Sequence, residues 1–160
     1  MTVQEYNNSV DQYSDSVYRF VLKLTRSRTD ADDLVQISFE KLWLRYESVD
    51  FTKVKSWLFT TSYRAFIDSK RRARIDYVEV MPDGIEKENS YQFELKEILN
   101  KALDMIPEIQ KSCILLRDYE GYPYDEIGQI LDLSEAQVKV YIFRARTKMK
   151  QILTENFNLS

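Results

Sequence analysis

Four residues toward the C-terminal end, Lys139, Val140, Phe143 and Arg144, have the types and spacing that point most directly to chemistry. Val138, Ile142, Ala145, Met149 and Ile152 recur every three or four positions and define one apolar stripe of a helix. At roughly 100° per residue, Ala136, Val140, Phe143, Arg144 and Thr147 fall opposite that stripe, and Lys139 lies on its flank. A face that is only solvated has no reason to combine valine and phenylalanine with lysine and arginine. In a DNA major groove each type has a partner: cations meet phosphates or guanine acceptors, and apolar groups touch thymine methyls. Upstream, Ile127, Ile130 and Leu131 supply a shorter buried side, Leu133 fills a corner, and Ser134 can cap the second helix. Residues 124–146, opened by Pro123, therefore read as a helix-turn-helix. An amphipathic helix pair with no ligand fits the same pattern, and a second basic module weighs against it.

That second module lies between Ser56 and the cation cluster Lys70-Arg71-Arg72-Ala73-Arg74. On a helix beginning near Ser56, the residues Phe59, Tyr63, Phe66 and Ile67 share one side. Trp57, Thr61, Arg64, Asp68 and Arg71 share another. A tryptophan on a polar, cationic face can stack a single-stranded base on its ring; packing of the same ring between helices is the open alternative.

Catalytic chemistry finds no equipment. The chain has no histidine and one cysteine, so a zinc site of the usual ligands cannot be assembled and the commonest acid-base side chain is missing. There is no phosphate-cradling glycine-rich loop and no Ser/His/Asp set. The expectation is a protein that is not an enzyme and uses no metal or cofactor. Cys113, within an apolar helical run, reads as a buried core thiol; a lone cysteine builds no disulfide framework and suits a reducing cytoplasm.

The elements that position these residues are helical. Three glycines and three prolines among 160 residues leave little for a strand-and-turn architecture. A first helix over about 5–24 buries Tyr6, Val10, Tyr13, Val17, Phe20, Val21 and Leu24, and residues 27–29 break it. Thr29 with Asp32 forms a capping box for a second helix through Leu34, Val35, Phe39, Leu42, Trp43 and Tyr46. Residues 47–55 read as a loop before the Ser56 helix. Helical spacing lapses over 75–91, where Pro82-Asp83-Gly84 signals a turn, and resumes at Leu95, Ile98, Leu99, Ala102, Leu103 and Ile106. Pro107 suits a first helical position, Ile109, Cys113 and Leu116 form a further stripe, and Gly121 ends it. The fold class is all-α: two small helical domains, 1–75 and 93–160, joined by a linker at 76–92, the C-terminal domain a helix-turn-helix. No apolar run is long enough to span a bilayer, and Met1 leads into polar sequence with no signal peptide, so a cytoplasmic location without membrane insertion is expected. Net charge is −3, with cations gathered at 70–74 and 139–150 and acids at 30–33 and 76–97. Such a chain should bind DNA weakly alone and need a larger partner.

Taken in order, three segments resemble the two-domain extracytoplasmic-function (ECF) sigma factors of bacterial RNA polymerase. Asp30-Ala31-Asp32-Asp33-Leu34-Val35-Gln36 with Phe39 and Trp43 is similar to their core-polymerase-binding helix. Ser56-Trp57-Leu58-Phe59, running to Ile67-Asp68 and Arg71-Arg72, is similar to their promoter-melting helix. Leu115-Leu116-Arg117-Asp118-Tyr119-Glu120-Gly121 with the helix-turn-helix is similar to their −35-reading domain. The resemblance implies a transcription initiation factor that binds core RNA polymerase, directs it to specific promoters and assists duplex opening. It implies polymerase contact through Asp33, Gln36, Ile37, Glu40 and Trp43, and −10 contact through Trp57, Arg64, Lys70 and Arg71. The −35 contact falls to Lys139, Val140, Phe143 and Arg144, and an anti-sigma factor is a further implied partner. Arg64 stands where the family usually has asparagine, Ile37 where it often has an acid, and Val140-Tyr141 where serine and arginine are commoner.

Two rival readings are a helical adapter that docks on a protein, and a stand-alone helix-turn-helix repressor. A repressor would bind duplex DNA unaided, usually as a symmetric dimer. Neither needs a single-strand platform such as Trp57.

Overall fold

The first helix, α1 (Val3–Thr25), starts at a complete capping box in which the Glu5 N–H donates to Thr2 Oγ1 and the Thr2 N–H donates to Glu5 Oε1. It ends where Arg26 turns left-handed at φ 57° and its N–H closes on Leu22 O. Val17, Phe20, Val21 and Leu24 form the buried stripe, with Tyr6, Val10 and Tyr13 only half-buried toward the open end. In this computed structural model the described residues are 1–73 and 90–157.

The second helix, α2 (Arg28–Arg45), is capped by Ser27, whose Oγ accepts from the Asp30 N–H at 3.2 Å. The expected Thr29–Asp32 box is therefore displaced by one residue pair: Ser27 is already extended, so the helix begins before Thr29 can cap it. Two 3-10 turns, Tyr46–Ser48 and Phe51–Lys53, replace the loop read at 47–55, and α3 (Val54–Ala73) begins two residues before Ser56. Asp50 fixes the second turn by accepting from both the N–H and the hydroxyl of Thr52, at 2.9 and 2.8 Å. These bonds hold the Asp50 carboxyl below its usual range. The three helices pack mutually, and Leu42, Val54, Leu58 and Phe59 are fully buried at their centre, with Phe20 and Phe59 rings 5.3 Å apart.

The chain divides into two compact units, Met1–Asp83 and Gly84–Ser160. That division falls inside the stretch 76–92 read as a linker; most of this stretch, with Arg74, lies outside the described residues, and positions 90–92 already belong to α4 (Ser90–Asp104). In the second unit Pro107 is the N-cap of α5 (Glu108–Ile114) rather than its first helical residue, accepting through its carbonyl from the Lys111 N–H. A five-residue π-turn, Leu115–Tyr119, follows directly, and Gly121 leaves it at φ 74°. Then come α6 (Tyr124–Leu131), with Pro123 as N-cap, and the long α7 (Glu135–Phe157). The core of this unit is Leu103, Cys113, Leu115, Leu116, Ile127, Ile130 and the stripe of α7. Lys111 is nearly buried yet ion-paired to Asp104 at 2.7 Å, which ties the start of α5 to the end of α4. Every described element is helical or a turn, and none is long and apolar enough to cross a membrane.

Candidate nucleic-acid interface

The corner between α6 and α7 is built by close backbone approach. Asp132 turns left-handed at φ 58°, and the Leu133 N–H donates to Gly128 O at 2.8 Å. A Cβ on Gly128 would sit 2.5 Å from the Leu133 carbonyl oxygen, so only glycine lets the chain fold back this tightly. Ser134 then caps α7 reciprocally: the Gln137 N–H donates to Ser134 Oγ at 3.1 Å and the Ser134 N–H to Gln137 Oε1 at 2.9 Å.

Once started, α7 buries the stripe read from its periodicity. Val138, Ile142, Ala145, Met149 and Ile152 are all in the core. Ala136, Lys139, Arg144 and Thr147 are exposed, with Val140 at 44% and Phe143 at 72%. Arg144 stands between two open hollows: one is lined by Ala136, Gln137, Val140 and Tyr141, and the other by Pro107, Gln110, Phe143 and Thr147 among others. Lys139 Nζ lies 3.5 Å from Glu135 in an exposed i,i+4 pair, an interaction worth about 0.3–0.5 kcal/mol and easily surrendered to a phosphate.

The sequence reading missed the framework beside this helix. Tyr124, at the start of α6, has the Arg117 guanidinium 4.5 Å above its ring and Lys139 Nζ 5.8 Å away. Arg117 is fixed in turn by donating to Tyr122 O at 3.0 Å. Arg146 forks onto Asp118, Nε to Oδ2 at 3.2 Å and Nη2 to Oδ1 at 2.5 Å, and this bond raises its pKa further. The pair joins residues 28 positions apart, a separation that no helical period reveals. The π-turn makes it possible: Glu120 N–H reaches back to Leu115 O and Tyr122 N–H to Leu116 O.

In the first unit, α3 buries Phe59 and Phe66, leaves Tyr63 and Ile67 half-buried, and exposes Arg64, Asp68, Lys70 and Arg71. Lys70 Nζ lies 5.5 Å over the Phe66 ring. Trp57 is half-buried and keeps accessible surface. On α2, Asp33, Gln36 and Glu40 are exposed together with Ile37 at 38% and Trp43 at 48%. Gln36 Nε2 donates to Glu40 Oε1 at 3.1 Å. Trp43 is held between Tyr6, edge-on at 5.1 Å and 63°, and Tyr46, stacked at 5.2 Å and 19°. Leu44, 82% exposed, is a further residue of this surface that the sequence reading passed over, although it lies seven positions beyond Ile37 on the same side.

Residues 10–75 match the family model of Sigma-70 region 2, and residues 96–149 match that of Sigma-70 region 4. The ECF RNA polymerase sigma factor SigM of Bacillus subtilis (strain 168) is 30% identical over 99% of this chain and 99% of its own length. The ECF RNA polymerase sigma factor SigE of Mycolicibacterium smegmatis is 29% identical over 94% of this chain and 62% of its own. Among solved structures, the sigma factor RpoE from Bartonella quintana, crystallised with the anti-sigma factor NepR, has the same fold at a TM-score of 0.83. It is 24% identical, over 96% of this chain and 99% of that one. The chain belongs to the ECF sigma factors of the sigma-70 family. It is accordingly a non-catalytic transcription initiation factor, which binds core RNA polymerase and directs it to promoters. Nothing in these likenesses favours an adapter or a stand-alone repressor.

Proposed function

We propose that the three exposed faces divide the work of initiation. The outer side of α7 reads the −35 element through Lys139, Val140, Phe143 and Arg144. The observation that carries this is the exposure of Phe143 at 72% and Val140 at 44% beside two cations, on a helix whose opposite stripe is wholly buried. Arg144 is suited to a bidentate guanine contact, and Phe143 to thymine methyls. Arg117 and Tyr124, packed on one another, lie where the helix-turn-helix would meet the sugar-phosphate backbone.

Trp57, Arg64, Lys70 and Arg71 would take the opened −10 strand, with bases on the indole and phosphates on the cations. Asp33, Gln36, Ile37, Glu40 and Trp43 would dock on the polymerase. An anti-sigma factor is a further partner in this reading, supported by the RpoE complex and by a second similar structure, CnrH with the cytosolic domain of CnrY. Action in the cytoplasm follows from working on RNA polymerase.

The test is promoter binding by holoenzyme reconstituted with single-site variants, scored against DNA altered separately at −35 and −10. Arg144→Ala should weaken binding only where the −35 element is intact. Equal loss on every DNA would take Arg144 off the reading face.

A further inference from the structure

Single exposed apolar residues are ordinary on a protein surface, but Ile37, Trp43 and Leu44 sit within about two turns of one helix. The core of the unit needs none of the three to be outward: α2 already buries Ala31, Leu34, Ser38, Phe39 and Leu42. At roughly 100° per residue, Leu44 falls about 20° from Ile37, between the directions of Ile37 and Asp33, on the side away from the buried stripe. It therefore adds an apolar residue beside Trp43, one turn beyond Glu40, to the face assigned above to polymerase. Trp43 is fixed by Tyr6 and Tyr46, with the Tyr6 hydroxyl donating to Phe39 O at 3.1 Å. An indole braced on both sides loses little freedom on docking, and the adjoining leucine, 82% exposed, has the most surface to bury.

We infer that Leu44 is an apolar anchor of the polymerase-docking surface, acting with Ile37, so that this sigma factor grips core RNA polymerase through a hydrophobic ridge rather than mainly through its flanking acids. The inference rests on the reading of α2 as the docking helix. Because burial of apolar area is not screened by salt while exposed ion pairs are, the contribution of the ridge persists at ionic strengths that erase that of Glu40. The ridge requires a complementary apolar recess on the polymerase, and discriminates against polymerases that present only cations there.

The experiment measures affinity of the full chain for purified core polymerase at about 0.1 and about 0.5 M salt, a change that shortens the screening length about twofold. It compares the wild type with Leu44→Gln, Glu40→Gln and Trp43→Ala. Full burial of a leucine predicts at least a tenfold loss for Leu44→Gln, the same at both salts, with an unchanged melting temperature because the side chain supports no core. The Glu40→Gln effect should shrink at high salt. If Trp43→Ala weakens binding and Leu44→Gln does not, the anchor is refuted while the docking helix stands. If neither weakens it, the assignment of α2 itself fails. A Leu44-dependent dimer of the free chain, detected by sedimentation, would instead assign the ridge to self-association and overturn the inference.

Discussion

At the scale of single residues, Arg144 is where the proposed reading face of α7 is most directly tested. Its neighbours Val140 and Phe143 expose apolar surface that docking against a partner would remove from water. Replacing Arg144 with alanine should cost about 1–3 kcal/mol of holoenzyme affinity for a promoter if the guanidinium is bidentate to a base, measured by titration of labelled promoter DNA. Trp57→Ala should leave closed-complex affinity nearly intact and reduce opening, read from permanganate reactivity of unpaired thymines; undiminished reactivity would confine the ring to a packing role. Cys113 is fully buried, and burial pushes its thiol up to about 12. In the unfolded chain the thiol ionises near its ordinary value of 9.0, so the native state retains a proton the unfolded state gives up. Stability should therefore fall as pH rises from 9 toward 12, and Cys113 should react with a thiol reagent only on unfolding. The outward residues of α7 were legible in the sequence because their helix has an unbroken period. Arg117, Tyr124 and the Asp118–Arg146 fork were not, because they are brought together by a π-turn and a tertiary contact.

Among the elements, the α6–α7 corner shows which local rules prevail. Helix propensity alone would favour alanine at position 128 by about 0.5–1 kcal/mol. The Cβ, however, would meet a backbone oxygen at 2.5 Å, and overpacking costs about 1–3 kcal/mol. Strain wins, so Gly128→Ala should destabilise the second unit by thermal unfolding and reduce −35 binding with it. A neutral or stabilising substitution would mean the corner has room. Ser134→Ala should remove about 1 kcal/mol through the lost cap. Capping was the least legible feature from sequence: Ser27, not Thr29, starts α2, and Pro107 caps α5 from outside it. Adjacent Ser and Thr candidates differ only in which one the preceding chain leaves extended, and at Arg26 that was decided by a left-handed residue with no glycine to announce it. The 3-10 turns at 46–53 were likewise invisible, since a three-residue element has no period to detect.

For the whole molecule, charge and architecture together decide how it must act. A net charge of −3, with cations clustered at 70–74 and 139–150 and others interspersed with acids, limits the sequence-independent attraction to DNA. The free chain should bind a −35 duplex only weakly and lose that binding steeply with salt, measurable by fluorescence anisotropy; tight, salt-tolerant binding by the chain alone would favour a repressor. The bipartite character was legible because the acidic, turn-signalled stretch near Pro82-Asp83-Gly84 interrupts two strongly periodic regions. The most direct test of the central claim, that this chain gives RNA polymerase its promoter choice, is run-off transcription over a promoter library with purified core polymerase. The expected result is initiation confined to a small set of promoters sharing paired −35 and −10 sequences, and only when both proteins are present. Failure of the chain to associate with core polymerase, or transcripts that do not depend on it, would contradict the assignment.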